Sequence, residues 1–157
     1  MPADRPNVVT DPESLPARTG TPYPPHLDEP CAGRVRRALG NAVGIHAFGV
    51  NLTELPPGTW SSQRHWHTRQ DEFIYVLEGE ITLVTDAGET LLKAGMFAGF
   101  PAGKPDGHHL INKSDRMARY IDIGDRPAGD AAHYPDVDMA VKYESRSNFT
   151  KRNGEAF

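Results

Sequence analysis

Cysteine is almost missing from this chain, with Cys31 the single example. No internal disulfide can form, so the fold must be held by its core. A chain of 157 residues suits one domain and buries roughly two-thirds of its unfolded surface without staples. The shortage of thiols fits a reducing compartment, and a cytoplasmic location is expected. Cys31 lies in "DEPCAG" with no second cysteine beside it, so it reads as structural, not as a nucleophile. Long apolar runs are also lacking. None reaches the roughly 18 residues of a membrane helix, and "MPADRPNVVTDPESLPARTG" at the start has no apolar centre of a secretory signal. Basic residues are in deficit, 17 Lys and Arg against 21 Asp and Glu, a formal net charge of −4. Neither a membrane nor nucleic acid is an expected partner. The one local basic cluster, "RVRRALG" at Arg34–Gly40, alternates as on the wet side of a strand.

A sustained helical period of 3.6 is absent too, and what fills the chain instead has three textures. Residues 1–33 hold eight prolines. Proline removes a backbone donor and fixes φ, so this arm cannot be a helix or a central strand. It is expected to be extended, with Tyr23 and Leu27 as anchors. Residues 34–124 read as strand after strand. "IHAFGVNLTEL" alternates Phe48, Val50 and Leu52 on one face, while "EFIYVLEG" and "EITLVTD" are dense in β-branched and aromatic residues. "DAG" at Asp86–Gly88 marks a hairpin. "GMFAGFP", "HHLINKS" and "MARYIDIG" follow at similar spacing, the signal of an antiparallel sandwich or barrel. Residues 125–157 read as a wrapping tail with one short strand at Met139–Tyr143.

Chemistry concentrates in "RHWHTRQDEF". His65 and His67 stand at i and i+2, so on an extended segment they share a face, roughly 7 Å apart at the backbone. Glu72 opens the next strand, whose same face continues as Ile74 and Val76. A carboxylate pointing into such an interior is costly unless paired or bound to a metal. Some forty residues later His108, Leu110 and Asn112 share one face, and His109 and Ile111 the other. Trp66 has the opposite parity to the two histidines and reads as packing. Arg64 and Lys104 read as solvated.

Two stretches resemble the germin-like motifs of the cupin superfamily. The first is Gly58…His65-Trp66-His67…Glu72…Gly79. The second is Gly95…Pro101-Ala102-Gly103…His108…Asn112. The resemblance implies an all-β double-stranded β-helix, a small jelly-roll-like barrel over residues 34–124, whose interior holds a metal bound by three His and one Glu. Carried over position by position, the ligands are His65, His67, Glu72 and His108. The chain departs from the pattern by one extra residue between Gly58 and His65 and two between Gly103 and His108, both in loops, where insertions are tolerated. The second makes His109 a rival ligand, set aside because it shares a face with Ile111.

Three imidazoles and a carboxylate suit Mn, Fe, Co, Ni or Zn, and no thiolate narrows the choice. Four protein ligands leave positions open for a small oxygenated molecule. Within the superfamily three function classes follow: a Lewis-acid enzyme, with sugar or sugar-phosphate isomerisation as the leading case; an Fe- or Ni-dependent dioxygenase of a small organic molecule; and a non-catalytic sensor of a metal or small ligand. Fold alone does not separate them. By parity with Glu72, residues Phe73, Tyr75 and Leu77 form an apolar outer face, and a homodimer whose arms cross between barrels is expected.

Overall fold

The structure, a computed structural model, describes residues 10–142 and 148–157. Twelve strands run in chain order as β1 (Arg18–Thr19), β2 (Val35–Ala38), β3 (Phe48–Leu55), β4 (Trp66–His67), β5 (Glu72–Glu78), β6 (Glu80–Thr85), β7 (Gly88–Lys93), β8 (Phe97–Phe100), β9 (His109–Ile111), β10 (Ala118–Asp125), β11 (Ala131–His133) and β12 (Ala140–Lys142). One four-residue helix, α1 (Leu39–Ala42), packs on β3, close enough that a Cβ at Gly40 would meet Val50 at 3.2 Å. Among the described residues no helix is long and apolar enough to cross a membrane. The expected tail strand is β12; its last expected residue, Tyr143, lies outside the described residues.

A six-stranded sheet, β1-β2-β3-β10-β5-β8, faces a three-stranded sheet, β7-β6-β9, and all their pairings are antiparallel. Between them Leu55, Ile74, Val76, Ala118 and Tyr120 from the large sheet meet Ile81, Leu92 and Leu110 from the small one. The alternating strands expected from the sequence thus build the antiparallel barrel it implied. The β5–β6 connection needs Gly79: its φ is +74°, and a Cβ there would lie 2.7 Å from the Met117 carbonyl oxygen.

The large sheet settles which face of β3 is inside. Phe48, Val50 and Leu52 share the outer face of β3, under α1, and the inner face carries Asn51, Thr53 and Leu55. Antiparallel register lines up like with like: Leu55 opposes Ala118, Thr53 opposes Tyr120, and Asn51 opposes Asp122. One end of the barrel is therefore apolar and filled, and the other is polar.

The reading of the basic cluster is corrected. Arg34 is buried, donating to the carbonyls of Ser61 at 2.8 Å and Gly20 at 3.0 Å. Arg36 points inward to Asp122, and only Arg37 faces outward, to Glu54 and Glu13. The wet-side reading failed because the strand's polar face is turned to an internal cavity.

The arm pairs with its own barrel, Arg18 opposite Arg36. Tyr23 and Leu27 do anchor it. They pack with Val137 and Phe149 against a second cluster of Ala132, Tyr134, Met139 and Val141 from the tail. Cys31 is fully buried, and burial pushes its thiol up to about 11, which keeps it protonated and inert.

Candidate metal centre

Backbone pairing brings the histidines of the two motifs together. His65 and His108 form an isolated antiparallel bridge, each N–H donating to the other's carbonyl, at 3.1 and 2.9 Å. His67, two residues on, joins the same face from β4, which is held by β11. The Gly103 N–H donates to the His67 carbonyl at 2.8 Å, so the loop before His108 is docked on the strand of the first motif. Gly103 sits at φ +73°, a conformation that favours glycine.

Glu72, opening β5, completes the group. Its Oε2 lies 2.7 Å from His108 Nε2 and 3.7 Å from His65 Nε2, and its Oε1 lies 3.5 Å from His67 Nε2. The ligand atoms of His65, His67 and Glu72 all fall within 4.8 Å of one another, so these three can hold one ion. His108 approaches through Glu72, with its ring centroid 5.0 Å from that of His65. His109 turns elsewhere: its Nδ1 meets the Ser62 carbonyl at 3.0 Å, and its ring packs edge-on against Trp60. Trp66 packs as expected, stacked on His133.

Electrostatics and orientation are set around the cluster. Burial alone would raise the Glu72 carboxyl, but hydrogen bonds from His108, His65 and His67 outweigh it and hold the group well below the usual carboxylate range. Burial lowers His108. His67, equally buried, is instead raised by Glu72 and Asp130. The Asp130 Oδ2 lies 2.8 Å from His67 Nδ1, while Oδ1 accepts from the backbone N–H groups of Arg69 at 2.8 Å and Gln70 at 3.2 Å. That carboxylate fixes the His67 proton on Nδ1 and leaves Nε2 facing Glu72, the usual way a protein orients a ligating imidazole. His65 is oriented similarly by the Gln63 carbonyl, 2.9 Å from its Nδ1. Phe100 stacks on the His108 ring at 3.6 Å with 3° between planes.

Comparison with known proteins places the fold. The Cupin domain family matches residues 51–124. The crystal structure of a cupin-superfamily sugar phosphate isomerase from Silicibacter pomeroyi is 42% identical, with a TM-score of 0.89 over 94% of each chain. The chain belongs to the cupin superfamily. A protein from Acidithiobacillus ferrooxidans, described as a candidate sugar phosphate isomerase, is 29% identical at TM-score 0.71, over 80% of this cupin and 78% of that chain. The polyketide cyclase RemF of Streptomyces resistomycificus, at 19% identity and TM-score 0.62, shares the fold alone. No curated protein matches this cupin significantly.

The cluster opens on a cavity of about 610 Å³, within the roughly 300–1,000 Å³ of small-molecule sites. Arg36, Asn51 and Asp122 line its wall on the large sheet, and Tyr23, Tyr134 and Phe149 close it from the arm and tail. Sequence reading missed Asp130 and Asp122. Asp130 lies in the tail, 63 residues from the histidine it orients, and only the β4–β11 pairing joins them. Asp122 was legible as the polar break in "YIDIG", where a strand otherwise apolar places a carboxylate on its inner face. Arg64 is fixed by Asp136 at 2.8 Å and by Asp86, clamping the tail to the barrel.

Proposed function

We propose that this cupin is a metal-dependent isomerase of a small sugar phosphate, with His65, His67, Glu72 and His108 holding one divalent ion of Mn, Fe, Co, Ni or Zn. The observation that carries this reading is the convergence of three imidazoles on one buried carboxylate at the wall of a polar cavity. A donor set of this kind fits a borderline divalent ion, and nothing cationic but the histidines themselves touches Glu72 among the described contacts. The 42% identical relative named as a sugar phosphate isomerase supports the substrate class.

When bound, such an ion supplies Lewis-acid polarisation of adjacent carbonyl and hydroxyl oxygens. The protein's part is placement. Asp130 and the Gln63 carbonyl hold His67 and His65 in the tautomer that presents Nε2. Phe100 keeps the His108 ring in plane. Asn51 and Asp122, bonded to each other at 2.7 Å, fix the polar wall across the cavity, and the arm and tail keep bulk water from that side. Proton movement between neighbouring carbons would then occur in a space lined by groups whose orientation is already fixed.

The test is elemental analysis of protein purified without a chelating column, together with NMR assays of aldose-phosphate to ketose-phosphate interconversion. The expected result is about one divalent ion per chain, lost in His67→Ala, and turnover that follows metal content. Dioxygen uptake with an organic substrate and no isomerisation would replace this reading with a dioxygenase. Retained metal with neither activity would replace it with a sensor.

A further inference from the structure

The cavity has a second polar end that the metal centre does not use. The whole chain is acidic, at −4, yet Arg18, Arg34, Arg36 and Arg126 line this cavity against only two carboxylates, Glu72 and Asp122. Two of the arginines are committed to neutral acceptors. Arg34 holds two carbonyls, and Arg126 holds the His46 carbonyl at 3.1 Å and Asn41 Oδ1 at 2.9 Å.

Arg36 and Arg18 are different. They are direct cross-strand partners on β2 and β1, and like charges placed opposite one another in a sheet repel. Arg36 makes only long contacts, Nε to Thr53 Oγ1 at 3.4 Å and Nη2 to Asp122 Oδ2 at 3.3 Å. The rest of its guanidinium N–H groups have no acceptor among the described residues, and its side chain stays 36% exposed although it points inward. The Arg18 side chain makes no hydrogen bond or ion pair among the described residues. The Asp122 carboxylate is itself held at 2.7 Å by Asn51 Nδ2 and at 2.7 Å by Thr53 Oγ1, so the aim of Arg36 is built in. Two guanidinium groups against one carboxylate leave the corner positive, with fork-shaped donors unspent. That arrangement suits a dianion with several oxygens better than a single carboxylate.

We propose that Arg36 and Arg18 form the subsite for a phosphate monoester and hold the anionic end of a substrate whose oxygenated carbons lie at the histidine cluster. Asn51, Thr53 and Asp122 are positioning residues for Arg36. The identity of the substrate rests on the function proposed above; the anion site rests on the arginine pair.

The experiment is inorganic phosphate binding, followed by calorimetry and ³¹P NMR on the full chain as purified, with metal content measured in each sample. Arg36→Met should weaken phosphate at least tenfold with metal content unchanged, and Arg36→Lys should fall between. Arg37→Met, on the opposite face of the same strand, should bind like wild type. Should Arg36→Met fail to fold, Arg18→Met on the exposed edge strand reads the same site, with at least a threefold loss expected. Equal binding by wild type and Arg36→Met, an equal loss in Arg37→Met, or no binding by wild type at millimolar phosphate overturns the assignment. So does binding that survives Arg36→Met but disappears in His67→Ala, since the anion would then sit on the histidine cluster. Phosphate lost in Arg36→Met from a protein that isomerises nothing sinks the proposed reaction and keeps the subsite. Isomerisation of a sugar phosphate with an unchanged KM in Arg36→Met does the reverse.

Discussion

Replacing Asp130 by Asn tests whether the metal centre is organised from outside its ligands. Asp130 is 4% exposed and does not itself line the cavity. Its two oxygens do two jobs, one at His67 Nδ1 and the other at the N–H groups of Arg69 and Gln70. An amide cannot do both. With its oxygen toward the backbone donors, its NH₂ faces His67 and drives the ring proton onto Nε2, the atom that should bind metal. With its oxygen toward His67, the NH₂ collides with two N–H donors. Loss of such a partner typically weakens metal affinity about 10–100-fold, or roughly 1.4–2.7 kcal/mol at about 1.4 kcal/mol per decade. A chromophoric-chelator competition on wild type, Asp130→Asn and Asp115→Asn measures it, Asp115 being almost fully exposed. Affinity of Asp130→Asn within threefold of wild type would refute the reasoning.

The same variant has a pH signature in the metal-free protein. Burial would raise the Asp130 carboxyl, but the hydrogen bonds from Arg69, His67 and Gln70 hold it below its usual value. A depressed folded pKa stabilises above the unfolded value of about 3.9 and is lost as pH falls through the lower folded one. Because Asp130 also raises His67, a contribution complete only below the unfolded imidazole value of about 6.5, the stability gap between wild type and Asp130→Asn should be fullest between about pH 4 and 6.5 and shrink below about pH 4. A gap that instead widens below about pH 4 would mean that the carboxylate is not the stabilising form.

Three further outcomes are expected. Asn112 is fully buried and donates to the carbonyls of Leu55 and Arg116 while accepting from Ser114. Asn112→Ala should lower unfolding free energy by about 1–3 kcal/mol or more, from unpaired buried groups, in chemical denaturation. Gly79→Ala places a Cβ against the Met117 carbonyl at a positive φ and should cost at least ~1–2 kcal/mol, visible as a lower Tm with metal-binding stoichiometry intact. The outer face of β5 and β8 exposes Phe73, Tyr75, Leu77 and Phe97, the first and last stacked at 5.6 Å. A C₂ homodimer through this face is the expected assembly. Light scattering should give twice 17.3 kDa, and Phe97→Lys should return it to that mass; a monomeric wild type would rule the dimer out.

The ligand-bearing strands were legible because period-2 alternation fixes which residues travel together, whatever the tertiary context. His65 with His67, and Glu72 with Ile74 and Val76, needed nothing more. Alternation does not say which face is inside, and the usual assignment, apolar inward, holds only where the interior is filled. In this barrel it is filled at one end alone. Along the inner face of β3 the residues run Gly49, Asn51, Thr53, Leu55, and along β10 they run Gly124, Asp122, Tyr120, Ala118, each passing from polar to apolar. A strand that hosts a cavity at one end and a core at the other has no single hydrophobic face, so the shared face of Phe48, Val50 and Leu52 was legible and its being the outer one was not. The misreading of the basic cluster and the proposed function share a cause. Arg36 reads as solvent-facing in the sequence because, with Asn51 and Asp122, it lines a cavity with donors and acceptors in place. Only the pairing of β2 with β3 and of β3 with β10 shows that the three meet, since they are contributed by segments up to 86 residues apart. Polar residues at alternate positions on successive strands of a barrel are therefore a signal of a binding site when their cross-strand partners are polar too, and a signal of bare surface when they are not.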